Sequence, residues 1–149
     1  MEFLQVLLSN TILTSSLLGW AIAQILKTII NFGFTRTFNA ERLIGSGGMP
    51  SSHSATVCAL ATSTAFQYGV GSFEFAIAAV FAIVVMYDAI GVRRETGVQA
   101  VLLNKMVAVF SKMEGFPTVE AKLKELVGHT PLQVAAGAIL GVLVAVFMR

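Results

Sequence analysis

Charge is what this chain has least of. Only 12% of its 149 residues are Asp, Glu, Lys or Arg, against about 25% in soluble globular domains. Phe3–Leu26, Leu43–Phe73 and Leu126–Met148 contain none of them, and Phe75–Tyr87 is shorter but densely apolar. With 56% hydrophobic residues, this excludes an ordinary water-soluble domain, and no nucleic-acid partner is expected. The single cysteine, Cys58, excludes an internal disulfide, leaves the redox compartment undetermined and reads as a small packing residue. No basic n-region follows Met1-Glu2 and the first apolar stretch is too long for a cleavable signal, so a retained segment is expected. No repeat or low-complexity segment is present.

What is there is suited to a bilayer. A span needs roughly 20 mostly apolar residues. The sequence predicts an all-α, integral membrane helical bundle in one domain, residues 1–149. Its four transmembrane helices cover about 6–30, 53–69, 73–92 and 131–148. One or two cytoplasmic or interfacial helices complete it. Lys27, Arg36 and Arg42 fall between the first two spans. Arg93, Arg94, Lys105, Lys112, Lys122 and Lys124 fall between the last two, and only Arg149 falls on the other side. The positive-inside rule makes the richer face cytoplasmic, with both termini outside. The chain is thus expected to be a multi-pass integral membrane protein with its site on the cytoplasmic face.

Local signals refine this outline. Gln24, Lys27 and Asn31 form a polar stripe at helical spacing at the end of the first span. Residues 32–48 read as a loop, and Pro50 as a boundary or first-turn residue of the next helix. Val98, Val101, Leu102, Met106, Val109, Phe110 and Met113 trace an apolar stripe on a helix over 98–113, lying at the interface or against the bundle. A short charged helix is expected over 118–127, with Glu120 and Lys124 at i,i+4. Thr130 is placed to cap the last span, and Pro131 fits its first position.

Against this background one polar segment stands out, Ser46-Gly-Gly-Met-Pro-Ser-Ser-His-Ser-Ala55. Gly47 and Gly48 let the backbone approach a ligand closely. The helix start that follows offers free N–H groups and the positive end of the dipole to an anion. Ser51, Ser52 and Ser54 add hydroxyls, and His53 adds a group that titrates near neutral pH. No Gly-Lys-Ser/Thr follows, so this is not a Walker loop; a flexible loop with a serine cap is the plainer alternative. The only other histidine, His129, also stands at the cytoplasmic entry of a span beside a proline-marked helix start. A shared two-histidine site is the expectation. Asp88, the only aspartate, lies at the same end. A carboxylate so close to hydrocarbon is either functional or a structural ion pair, with Lys27, Arg42, Arg93 and Arg94 as partners. Those arginines also read as topology-setting residues that snorkel to the interface.

Pro50-Ser51-Ser52-His53 resembles the Pro-Ser-Gly-His motif of the type 2 phosphatidic-acid phosphatase and vanadium haloperoxidase superfamily. GGMPSSHSA, YDAIGVRRETGVQA and GHTPLQVAAGAILG look like its divergent membrane branch, over nearly the whole chain. The resemblance implies a helical bundle and a metal-independent phosphatase that needs no cofactor. It implies His129 as the nucleophile toward phosphorus and His53 as the acid that protonates the leaving oxygen. Ser51, Ser52, Gly47, Gly48, Lys27, Arg42, Arg93 and Arg94 would hold the phosphoryl group. The sequence departs from the family pattern in two ways. Gln133 stands four residues after His129, where the motif has Asp; Asp88 or Glu125 would have to supply a carboxylate. The lysine–arginine spacing of the family's first motif and the arginine of its third are also missing.

The implied function is a membrane-embedded phosphatase acting on the phosphomonoester of an anionic lipid phosphate: phosphatidate, phosphatidylglycerophosphate or an isoprenyl phosphate. The bilayer and that lipid are the expected partners, and a homo-oligomer stays open. The alternative is a catalytically inactive module that binds a phospholipid headgroup or a membrane protein. A small transporter is weaker, because no inverted repeat is visible.

Overall fold

A computed structural model of the chain describes residues 2–36, 48–111, 123 and 129–149. Every regular element among them is a helix. In order they are α1 (Glu2–Ser9), α2 (Thr11–Thr35), α3 (Ser52–Tyr68), α4 (Phe73–Ile90), α5 (Val92–Phe110) and α6 (Pro131–Phe147).

The helix starts follow side-chain chemistry. Asn10 takes an extended conformation and its Oδ1 accepts from the Leu13 N–H at 3.1 Å. Such a cap satisfies a donor that the helix itself cannot. It divides the first apolar stretch, so the span expected over 6–30 is a short α1 followed by a fresh start at Thr11. Ser51 and Ser72 cap α3 and α4 in the same way. Pro50 therefore lies outside α3 rather than in its first turn. Thr130 caps α6 with Pro131 in the first turn, as expected, and Gln133 completes a reciprocal capping box. Helix α5 starts at Val92, six residues before the stripe predicts. The helix expected over 118–127 lies outside the described residues, apart from Leu123, which is not helical.

Helix α3 is central. It packs against α2, α4 and α6; α6 also touches α2 and α4, while among the described helices α5 packs on α4 alone and α1 on α2 alone. The seams are built from small residues. Ala23, Ala55, Ala59, Ala78, Ala82, Ala89 and Ala145 are buried, as are Ser15, Ser16, Ser51, Ser54 and Ser63. A Cβ on Gly137 would collide with the Ser51 carbonyl oxygen, and one on Gly141 with the Ala55 carbonyl oxygen. Gly137-Ala-Ile-Leu-Gly141 is thus a GxxxG face on which two helix backbones meet, the packing that suits helices with no water to drive them together. The bulky side chains point outward: Leu17, Ile25 and Ile29 on α2, Ile77, Val80, Phe81 and Val84 on α4, Ile139 and Leu143 on α6. A water-soluble core has the opposite arrangement.

Among the described residues, two stretches are long and apolar enough to cross a membrane, Thr11–Thr35 and the α4–α5 stretch Phe73–Phe110. Helices α3 and α6 have 17 residues each, the short limit of the range of about 17–25.

Candidate active site

The site gathers where α3 and α6 begin, α4 ends and α2 passes. Two backbone hydrogen bonds join these parts. The Ser51 N–H donates to the Gln133 carbonyl at 3.0 Å, and the His129 N–H donates to the Ala89 carbonyl at 3.0 Å. The α3 cap is thereby tied to α6, and the residue before the α6 cap to the end of α4. Both histidines are carried in by this stitching. Their ring centroids are 6.1 Å apart with the rings edge to face. His129 is 3% exposed, and its Nε2 and the Nδ1 of His53 are buried atoms.

The protonation of the His129 ring follows from its neighbours. Gln133 Oε1 lies 3.1 Å from His129 Nδ1 and also accepts the Thr130 backbone N–H at 3.1 Å. A backbone N–H can only donate, so the atom facing it is the amide oxygen and not the amide nitrogen. The same oxygen faces Nδ1, so Nδ1 carries a proton. In the neutral imidazole the lone pair is then on Nε2, the arrangement a nucleophilic histidine needs. The glutamine thus supplies the orienting half of what a carboxylate would do, without the charge.

Lys27 is not a loop residue. It sits eight positions before the end of α2 and is 2% exposed. Its Nζ donates to Gln24 Oε1 at 2.6 Å and to Ser52 Oγ at 3.4 Å. A buried ammonium is costly unless held by hydrogen bonds. Here it sets a positive potential beside the start of α3, where the dipole and unsatisfied N–H groups favour an anion. Gly48, at φ +87°, lies on the stem of this lysine, and a Cβ there would stand 3.0 Å from Lys27 Cγ. The space that the missing side chain leaves is filled by Lys27. Ser51 Oγ accepts from the Ser54 N–H at 3.3 Å and from the Ser54 hydroxyl at 3.0 Å.

The structure therefore brings together His53, His129, Lys27, Gly48, Ser51 and Ser52. Asp88 lies at the same end, half-buried, one residue before the Ala89 carbonyl that holds His129. Arg42, Gly47 and Glu125 lie outside the described residues. Arg93 and Arg94 occupy the first turn of α5, but their side chains lie outside the description. Two participants are additional. Gln24 is visible in the polar stripe as a helix-face residue, yet its role as the buried acceptor for Lys27 needs the fold. Gly137 carries the Ser51 contact, and its GxxxG spacing is a signal in the sequence itself.

A buried imidazole with its lone pair assigned and a half-buried one, next to the Lys27 amine and a helix N-terminus, are groups that can bind an anion and transfer a proton. A family model described as the divergent PAP2 family matches residues 8–144, and the chain belongs to this family. It is also similar to an uncharacterized membrane protein, YuiD, of Bacillus subtilis (strain 168), with 41% identity over 95% of this chain and 96% of the relative. No solved structure matches.

Proposed function

We propose that the protein is a multi-pass membrane phosphatase that removes the phosphoryl group from an anionic lipid phosphate. The observation that carries this reading is the pairing of His53 with His129, whose Nδ1 is protonated toward Gln133. In the proposed reaction the His129 Nε2 lone pair attacks phosphorus and the bond to the lipid oxygen breaks. Protonated His53 gives its proton to that leaving oxygen. Water then attacks the phosphohistidine, neutral His53 takes the proton from that water, and phosphate and neutral His129 are released. Lys27, Ser51, Ser52 and backbone N–H groups at Gly47, Gly48 and the α3 start hold the phosphoryl oxygens, together with Arg42, Arg93 and Arg94. Positioning and charge stabilisation supply most of the rate.

The outward bulky residues and small-residue seams support four spans, α2, α3, α4 and α6. The basic residues gathered at the site's end support a cytoplasmic opening. A lipid phosphate then keeps its tails in the bilayer while its headgroup enters. Phosphatidate, phosphatidylglycerophosphate and isoprenyl phosphates share this chemistry.

Gln133 favours a second reading, a headgroup-binding module without turnover, because an amide cannot offset the imidazolium charge of a phosphohistidine. Phosphate release from a panel of these lipids by the purified protein in detergent separates the two. The enzyme reading expects release that falls about 100-fold or more in His53→Ala and His129→Ala. Retained lipid-phosphate binding with no release by the wild type would favour the module.

A further inference from the structure

Helix α5 has two faces with different tasks. Val98, Leu102, Leu103, Met106, Val109 and Phe110 are all exposed, and at about 100° per residue they share one side of the helix. On the other side Gly97 and Ala100 are buried and Val101, Asn104 and Val107 half-buried. Asn104 uses its whole side-chain amide there. Oδ1 accepts the Leu123 N–H at 3.0 Å, and Nδ2 donates to the Leu123 carbonyl at 2.9 Å. That is the hydrogen-bond pair with which one backbone recognises another, here made by a side chain across nineteen residues.

We infer that α5 is an interfacial helix. Its outer face is seated in the headgroup–acyl boundary of the membrane, and its inner face holds Leu123 through Asn104. Three observations choose lipid over a second copy of the chain. Helix–helix seams in this protein use mainly Gly, Ala and Ser, whereas the outer side of α5 carries Val, Leu, Met and Phe, and Val, Leu and Phe are among the residues that α2 and α4 turn outward. Among the described helices α5 packs on α4 alone, which leaves its outer side uncovered. A single straight helix of 38 residues would reach about 57 Å at 1.5 Å per residue, far beyond a hydrocarbon core of about 30 Å, so α5 is not part of the α4 span. Lys105 is exposed at the edge of the apolar side, where its stem can snorkel toward anionic headgroups. This inference rests on the membrane reading of the bundle but not on phosphatase activity.

The chain's one tryptophan, Trp20, sits half-exposed on α2 and reports on the embedded bundle. In a Trp20→Phe background, Leu102→Trp and Met106→Trp place the probe on α5. The full-length proteins are reconstituted in vesicles of phosphatidylcholine and phosphatidylglycerol. Quenching by brominated phosphatidylcholine and by acrylamide is then compared with the Trp20 parent. The expected result is quenching by lipids brominated near the headgroup, with protection from acrylamide. Acrylamide quenching without bromolipid quenching, or protection from both as under a second copy, would overturn the inference. The Trp20 signal shows separately whether the bundle is embedded. A nitroxide on Leu123→Cys, in a Cys58→Ala background, is expected to change from an immobilised to a mobile spectrum on Asn104→Ala. An unchanged spectrum would remove the clamp.

Discussion

Substituting Gly137 and Gly141 by alanine tests how the fold holds the site. The Gly137 Cβ would stand 3.0 Å from Ser54 Cβ and 3.1 Å from the Ser51 carbonyl carbon, and inside contact distance of the Ser51 oxygen. In Gly141→Ala the new atom would meet the Ala55 oxygen, with the Ala59 nitrogen at 2.9 Å. All but one of these partners are backbone atoms of α3 or of its cap Ser51 and cannot swing aside. Relief therefore requires α6 to move off α3 by on the order of 1 Å, loosening contacts along the whole seam. Overpacking of this kind costs about 1–3 kcal/mol, and 1.4 kcal/mol is about a factor of ten in the folding equilibrium. Gly33→Ala is the contrast, because nothing lies within 4 Å of its Cβ. It gains up to about 1 kcal/mol of helix propensity. Unfolding in detergent followed by circular dichroism should rank Gly33→Ala at or above wild type and both seam variants well below it. Gly137→Ala should also weaken vanadate binding more than Gly141→Ala, because Ser51 caps the helix that carries His53. Seam variants as stable as wild type would refute the close α3–α6 approach.

Three further outcomes follow from the site. Gln133→Glu keeps an acceptor for both Thr130 N–H and His129 Nδ1–H and adds charge, so phosphate release should be retained or raised. Gln133→Leu removes the acceptor and should lower release about tenfold or more, with a capping loss of about 0.5–2 kcal/mol in stability; equal rates in the two variants would discard the orienting role. Gly48→Ala places a side chain at φ +87° against the Lys27 stem. It should reduce phosphate release about tenfold, in line with about 1–2 kcal/mol for the left-handed conformation; a wild-type rate would separate Gly48 from the site. Ser46→Cys in a Cys58→Ala background should resist a membrane-impermeant thiol reagent in intact cells, and labelling from outside would invert the topology.

Much of this was legible because some signals are local. Thr130-Pro131 marks the α6 start whatever surrounds it, and the charge-free stretches mark apolar helices. The two histidines stood out because there are only two and each lies beside a helix start, His53 in the first turn of α3 and His129 just before α6. Other features depend on the third dimension. Lys27 reads as part of a polar stripe at the end of the first span, and only packing shows that it is buried with Gln24 and Ser52 around its Nζ. Gly48 reads as room for a ligand, although a lysine stem fills that room. Asn10 divides the first apolar stretch because its side chain competes for a backbone N–H, which a hydropathy window averages away. The start of α5 was hidden because Arg93-Arg94-Glu95-Thr96 has no apolar periodicity.

The central claim is that His129 attacks phosphorus. It is tested most directly by incubating the protein with a lipid phosphate radiolabelled in its phosphoryl group, quenching rapidly in alkali and measuring label on the protein. The account predicts an acid-labile, alkali-stable phosphohistidine that maps to His129 and is absent from His129→Ala. Label that persists in His129→Ala, or turnover by the wild type with no labelled protein at any quench time, would contradict it.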